Sequence, residues 1–144
     1  MKIINEMKLS FDSRSVNESF SRVAVSAFAA ALDPTVEELS DIKTAVSEAV
    51  TNAIVHGYRE KMGKIYITAA VTDYNTVRIR IRDKGVGIED IEQAMQPLFT
   101  TLGGERAGLG FAVMESFMDK VKVRSKPGSG TTVTLEKRIL GKET

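Results

Sequence analysis

The sequence predicts an α+β fold, a two-layer α/β sandwich with helices on one face of a mixed, mostly antiparallel sheet. Three observations predict it. Two helix-period segments follow one another over residues 15–56, opened by the capping signatures Ser15-x-x-Glu18 and Thr35-x-x-Glu38. Two pairs of strand-like segments, 64–73 with 76–83 and 120–126 with 131–138, are each joined by turn residues. Within residues 76–83, Val77, Ile79 and Ile81 share one face and Arg78, Arg80 and Arg82 the other, as in a sheet with one covered and one wet side. A chain of 144 residues is long enough to bury a core and short enough to be one domain, 1–144.

Taken in order, residues 3–11 alternate loosely and predict a first strand. The first helix carries Val16, Phe20, Val23, Ala24, Ala27, Phe28 and Ala31 at 3.6-residue spacing, which predicts that this stripe faces the core. Glu18, Ser19, Arg22 and Ser26 fall on the opposite face, and Asp33-Pro34 stops the helix. The second helix runs to about His56 along the seam Leu39, Ile42, Val46, Val50 and Ala53, with Gly57 as a left-handed closing residue. Thr72 to Asn75 turns one strand pair and Lys126 to Gly130 the other. The glycine-rich stretch from Asp83 to Gly110 contains a short helix near 89–94 and leads into a helix over 110–118.

Composition excludes several chemistries. There is no cysteine and one histidine, so disulfides, thiolate sites and His-rich metal clusters are out. A formal charge of +1 gives no reason to expect direct nucleic-acid or membrane binding through bulk electrostatics. The longest apolar run, 23–32, is too short to cross a bilayer, and the first residues lack a signal-peptide core. A cytoplasmic protein is the expectation.

Four short segments can carry chemistry. Glu48 and Asn52 stack one turn apart beside the apolar seam; a carboxylate can take a proton from a hydroxyl, and an amide oxygen can bind a hard cation. Asp83 continues the register of Val77, Ile79 and Ile81, so it points toward the helix layer. There a carboxylate needs a strong donor such as an exocyclic amine, and Gly85 and Gly87 permit a close approach. Gly108-Leu109-Gly110, preceded by Arg106, offers amides at a helix head and a cation for phosphate. Thr131 shares register with Val133 and Leu135 and turns its hydroxyl inward. Singly, each has a bland alternative: a solvated helix face, a strand-end turn, a surface loop, the start of a strand. The arginine ladder reads as the solvent side of the sheet, and His56 as a helix-terminal residue outside the catalytic set. The glycines at 57 and 63 do not make a P-loop, because Ile65 follows Lys64 where Ser or Thr is required.

Together, in the order E-x-x-x-N, D-x-G-x-G, G-x-G and G-T, these segments resemble the GHKL superfamily of gyrase, Hsp90-type chaperones, histidine kinases and MutL. Residues 48–58, 96–101 and 110–119 resemble the small serine kinases that act as anti-sigma factors. The likeness covers essentially the whole chain and narrows to the sporulation anti-sigma-F branch. That resemblance implies a Bergerat-type ATP-binding fold, Mg2+-ATP as cofactor, inhibition of an RNA polymerase sigma factor, and phosphorylation of an anti-anti-sigma factor on serine. It implies Glu48 as general base, Asn52 as magnesium ligand, and Asp83 as the reader of adenine beside Gly85 and Gly87. It places Thr101, Gly108, Leu109 and Gly110 at the phosphates under a lid containing Arg106, and Thr131 at the base. It assigns Glu18 and Arg22 to a partner-binding surface and implies a homodimer, for which the edge of the first strand is available. Residues 102–105, Leu-Gly-Gly-Glu, are shorter than the usual lid. That departure keeps a nucleotide-gated sigma-binding module without catalysis as the alternative, alongside the general-stress sibling of the family.

Overall fold

The computed structural model describes residues 2–59, 61–95 and 105–142, with side chains from Gly110 onward in the last segment. Five strands form one sheet: β1 Ile3–Asp12, β2 Lys64–Thr72, β3 Thr76–Asp83, β4 Lys120–Lys126 and β5 Gly130–Arg138. Their order is β1-β2-β3-β5-β4. Every pairing is antiparallel, so the sheet has no parallel component among the described residues. Four helices accompany it: α1 Val16–Ala29, α2 Val36–Asn52, α3 Ile91–Met95 and α4 Glu105–Phe117.

The core lies between sheet and helices. Ile42, Ala45, Val46, Ala49 and Val50 of α2 meet Ile65, Ile67, Val77, Ile79, Ile81, Val133 and Leu135 of the three central strands. Phe111, Met114 and Met118 of α4 extend the same cluster. The period-2 reading of β3 holds, with Val77, Ile79 and Ile81 buried and Arg80 and Arg82 exposed.

The first helix departs from the sequence reading. Its core-facing residues are Ser21, Val25, Ser26 and Ala29, while Val16, Phe20 and Val23 are 70%, 53% and 57% exposed. Small side chains let α1 approach α2 closely. Their hydroxyls cost nothing to bury, because Ser21 donates to the Glu18 carbonyl and Ser26 to the Val23 carbonyl. The larger apolar stripe is left outside, with Phe20 edge-on to Phe11 at a centroid distance of 6.2 Å.

The two capping signatures also part ways. At Thr35 both hydrogen bonds form: its hydroxyl accepts from Glu38 N–H at 3.0 Å, and its own N–H donates to the Glu38 carboxylate at 2.9 Å. That carboxylate also takes the N–H groups of Leu140 and Gly141 and so ties the end of the chain to the start of α2. Burial pushes the Glu38 carboxyl up, but the N–H donors of Thr35, Leu140 and Gly141 outweigh it and the net shift is down. At Ser15 no side-chain cap forms: its backbone is already helical, φ −58° and ψ −31°, where Thr35 is extended, and Glu18 turns to the Ser47 hydroxyl and to Arg22. The α2 axis ends in a single wide turn over Ala53–Gly57, where Tyr58 N–H reaches back five residues to the Ala53 carbonyl at 2.9 Å. Gly57 is not left-handed; Arg59 is, with φ 58°.

Candidate nucleotide-binding site

A cleft of about 490 Å³ opens between the end of α2, the end of β3 and the start of β5, within the range of small-molecule sites. Its walls are mostly apolar, from Ala49, Ala53, Ile81, Ile88, Phe111 and Val133. Polar groups sit at its ends.

One end is built around Asp83, which is 5% exposed and lies inward as its register requires. It pairs across the sheet with Thr131 on one side and Ile65 on the other. Burial pushes its carboxyl above the ordinary value, opposed by N–H groups of Gly85 and Thr131. The Gly85 donor lies at 2.9 Å from Oδ1. Two glycines make room for this. A Cβ on Gly57 would stand 2.9 Å from the carboxylate, which explains a glycine there without any left-handed backbone. A Cβ on Gly85 would meet the Gly57 carbonyl oxygen at 2.0 Å, where Val86 N–H also bonds that oxygen. Gly85 therefore serves a backbone-to-backbone contact and does not line the cleft. Gly87 does line it, with φ 78° and Lys126 packed behind it.

Sequence reasoning missed Ser125. Its hydroxyl donates to the Gly130 carbonyl at 2.9 Å, accepts from Ile88 N–H at 2.7 Å, and meets the Thr131 hydroxyl at 2.8 Å. With the Ser125 proton directed at Gly130, Thr131 is the donor in their contact. Its oxygen lone pairs are then left for the cleft. Asp83 and Thr131 thus present two acceptors side by side, the complement of an amino group. Ser125 continues the inward face of Val121 and Val123, so strand alternation could have found it.

The other end brings together Asn52, Glu48 and Gly110. A Cβ on Gly110 would lie 3.1 and 3.2 Å from the Asn52 amide atoms and 3.2 Å from Glu48 Oε2. Asn52 lines the cleft, and its Nδ2 is buried with no hydrogen-bond partner among the described residues. Glu48 stands behind Asn52 and is not itself part of the cleft wall. The helix head is not where the sequence put it. α4 begins at Glu105, so the amides left free by helix geometry belong to residues 105–108, and Gly110 is an interior residue whose task is close approach. The assignments at Arg106 and Leu109 fall on side chains outside those described, and Thr101 lies outside the described residues altogether. His56 lies in the last turn, as read from the sequence, and lines the cleft together with Arg59.

Glu18 and Arg22 form an ion pair at 3.6 Å on α1, worth a few tenths of a kcal/mol at the surface. Glu18 is drawn toward Ser47 and is less open to a partner than its position on the helix suggested.

The arrangement has relatives. Residues 10–137 match the model of the histidine kinase-like ATPase domain family. The chain belongs to that family. It is 59% identical over 140 residues to an anti-sigma F factor of Thermoanaerobacter sp. strain X514, covering 96% of this chain and 97% of that protein. It is 55% identical over 141 residues to an anti-sigma F factor of Geobacillus stearothermophilus, covering 97% of each. Among solved structures, the RsbU and RsbW domains of Rv1364c from Mycobacterium tuberculosis share the fold, with a TM-score of 0.68 at 22% identity over 94% of this chain and 32% of that one. A blue-light activated histidine kinase from Erythrobacter litoralis shares it at a TM-score of 0.57 and 20% identity, over 81% of this chain and 40% of that one. No helix among the described residues is long and apolar enough to cross a membrane.

Proposed function

We propose that this protein is an anti-sigma factor of the sigma-F type and an ATP-dependent protein serine kinase. In this reading it binds and inhibits an RNA polymerase sigma factor in the cytoplasm and phosphorylates an anti-anti-sigma factor on serine. The observation that carries it is the cleft itself, with paired acceptors at one end and an amide with an unpartnered buried atom at the other. The names of the relatives supply the regulatory role.

The residues present fit Mg2+-ATP. Asp83 and Thr131 accept from the adenine amino group, and the apolar walls enclose the ring. Gly110 lets α4 pack closely on Asn52 and Glu48. No group of three His, Cys, Asp or Glu side chains forms a metal cage among the described residues. Asn52 would hold a magnesium ion that takes the rest of its shell from phosphate and water. Magnesium bound there would offset charge on the phosphates during transfer. Glu48, next to Gly110, is assigned the role of orienting the incoming serine hydroxyl and accepting its proton; its proximity to Gly110 supports this. Arg106 is assigned to the terminal phosphate on the resemblance alone.

A homodimer also belongs to this reading. β1 is an edge strand, and Val16, Phe20 and Val23 of α1 are exposed apolar residues on one helix. A single-chain mass by sedimentation equilibrium would contradict it.

The test is transfer of labelled phosphate from ATP to an anti-anti-sigma protein. The parent should label its partner, and Glu48→Gln should lose roughly 100- to 10,000-fold in rate while keeping ATP affinity. Transfer by that variant at the parent rate would remove Glu48 as the base. A parent that captures the sigma factor in an ATP-dependent way yet labels nothing would favour the nucleotide-gated module, which the short stretch 102–105 supports.

A further inference from the structure

The face of the sheet turned away from the helices carries an arrangement that the nucleotide reading leaves unused. The cross-strand register sets its outward side chains in rows across β3, β5 and β4. One row is Arg82, Thr132 and Arg124; the next is Arg80, Thr134 and Lys122; the third is Arg78, Glu136 and Lys120. In the first two rows, long cations stand on β3 and β4 with a short hydroxyl side chain between them on β5. Two strand spacings set the cationic walls roughly 10 Å apart, and successive rows repeat at about 7 Å. The result is a groove of about 440 Å³ with a threonine floor, and a second depression prolongs it past Arg82 and Lys126.

Edge protection does not account for these charges. Lysines on β4 guard an edge, but β3 is the middle strand of the five, where no edge needs guarding. Nor do the charges pair off. Glu136 is the one carboxylate among the described lining residues, and it lies 4.0 Å from Lys120 in the row that ends the groove. Among the described residues, Arg80, Arg82, Lys122 and Arg124 form no ion pair. Like charges ranged along one face repel one another, and a face serving solubility alone would intersperse acids. The whole chain carries a formal charge of only +1, so the positive field is local to this face and offset by acids elsewhere.

The spacing selects the ligand. Same-face side chains of an extended polypeptide repeat at about 7 Å, the interval between the rows. Carboxylates two residues apart would therefore each meet one cation from β3 and one from β4. No aromatic side chain among the described lining residues could stack on unpaired bases, and no apolar one could enter a lipid surface. We propose that this groove docks an extended segment of a protein partner with acidic residues at alternate positions. It does so on the opposite side of the sheet from the cleft and independently of what the cleft holds.

The probe is a synthetic octapeptide of alternating Glu and Thr, titrated into the full chain by NMR and calorimetry at low and at physiological salt. Saturable binding is expected at low salt, with amide shifts centred on residues 78–82, 122–124 and 132–134, and weaker binding at physiological salt. The double variant Arg80→Gln, Arg124→Gln should weaken the peptide roughly five- to tenfold. Both residues are exposed, so its melting temperature and ATP affinity should match the parent's. A peptide of the same composition with its glutamates contiguous should bind less tightly than the alternating one. No saturable binding at low salt, unchanged binding in the double variant, or equal binding of the contiguous peptide would overturn the proposal. Tighter capture by an oligothymidylate or by phosphatidylserine vesicles would overturn it as well, in favour of a nucleic acid or a membrane.

Discussion

The two ends of the cleft are built on opposite principles. At the Asp83 end nearly every polar atom is already engaged: the carboxylate by Gly85, the Thr131 hydroxyl by Ser125, and Ser125 by Gly130 and Ile88. At the Asn52 end an amide nitrogen is buried with no partner among the described residues, and Gly110 packs against Asn52 and Glu48 where a side chain would not fit easily. The first end is preorganised, at the cost of a carboxylate held out of water. The second keeps a donor that no described residue meets, at a cost of about 1–3 kcal/mol for a buried group left so. The difference teaches where specificity and where chemistry reside. In the proposed reading, the Asp83 end recognises the base by fixed geometry, and the Asn52 end completes itself only with the phosphates.

The comparison can be broken at either end. The largest effect is expected at Gly85. An alanine there drives a Cβ into the Gly57 carbonyl at 2.0 Å, and both partners are backbone, so neither can swing away. Gly85→Ala should lose on the order of 3 kcal/mol of stability and all measurable nucleotide binding, seen in urea melts and calorimetry.

Asp83→Asn should separate stability from function. Because burial raises the Asp83 carboxyl, the folded state holds that proton more tightly than the unfolded chain does. The parent's stability should therefore fall as pH rises from the ordinary carboxylate range through the raised value. The asparagine variant should lack that slope and melt no lower than the parent near neutral pH, while ATP affinity drops roughly tenfold or more. A lower melting temperature at neutral pH, or intact ATP binding, would remove Asp83 as the base-reading residue.

The smallest of the three effects belongs to the phosphate end. In Gly110→Ala the new Cβ stands 3.1–3.2 Å from Asn52 and Glu48, tight but able to be met by small side-chain shifts. ATP affinity should fall a few-fold with adenosine unchanged, which titration of both compounds would read.

The parts of the fold and site legible in the sequence are those set by rigid periodicities. The inward aim of Asp83 and Thr131 was readable because side chains in a strand alternate without slack, and β3 and β5 carry no bulge in their pairing. The proximity of Glu48 and Asn52 was readable for the same reason on a helix. The burial of α1 was not. A 3.6-residue period announces a stripe but not which stripe is core, and serines that bond their own helix backbone hide the true seam behind a polar spelling. The Ser15 signature failed because Ser15 is itself helical and Glu18 bonds Ser47 instead, a contact made only when α1 lies on α2. Gly57 and Gly85 were read through their own backbones, whereas both are glycines because of what packs against them. The wide turn before Tyr58 leaves no local mark, and with it went the placement of Arg59.

The central claim is that segments far apart in the chain close around one adenine nucleotide. Amide chemical shifts recorded by NMR as Mg2+-ATP is added test it most directly. Saturable shifts are expected in step at Asn52, Gly57, Arg59, residues 83–88 and Thr131, with one apparent affinity. Shifts confined to the outer face of the sheet at Arg80, Arg82 and Arg124, with the cleft residues unmoved, would contradict it.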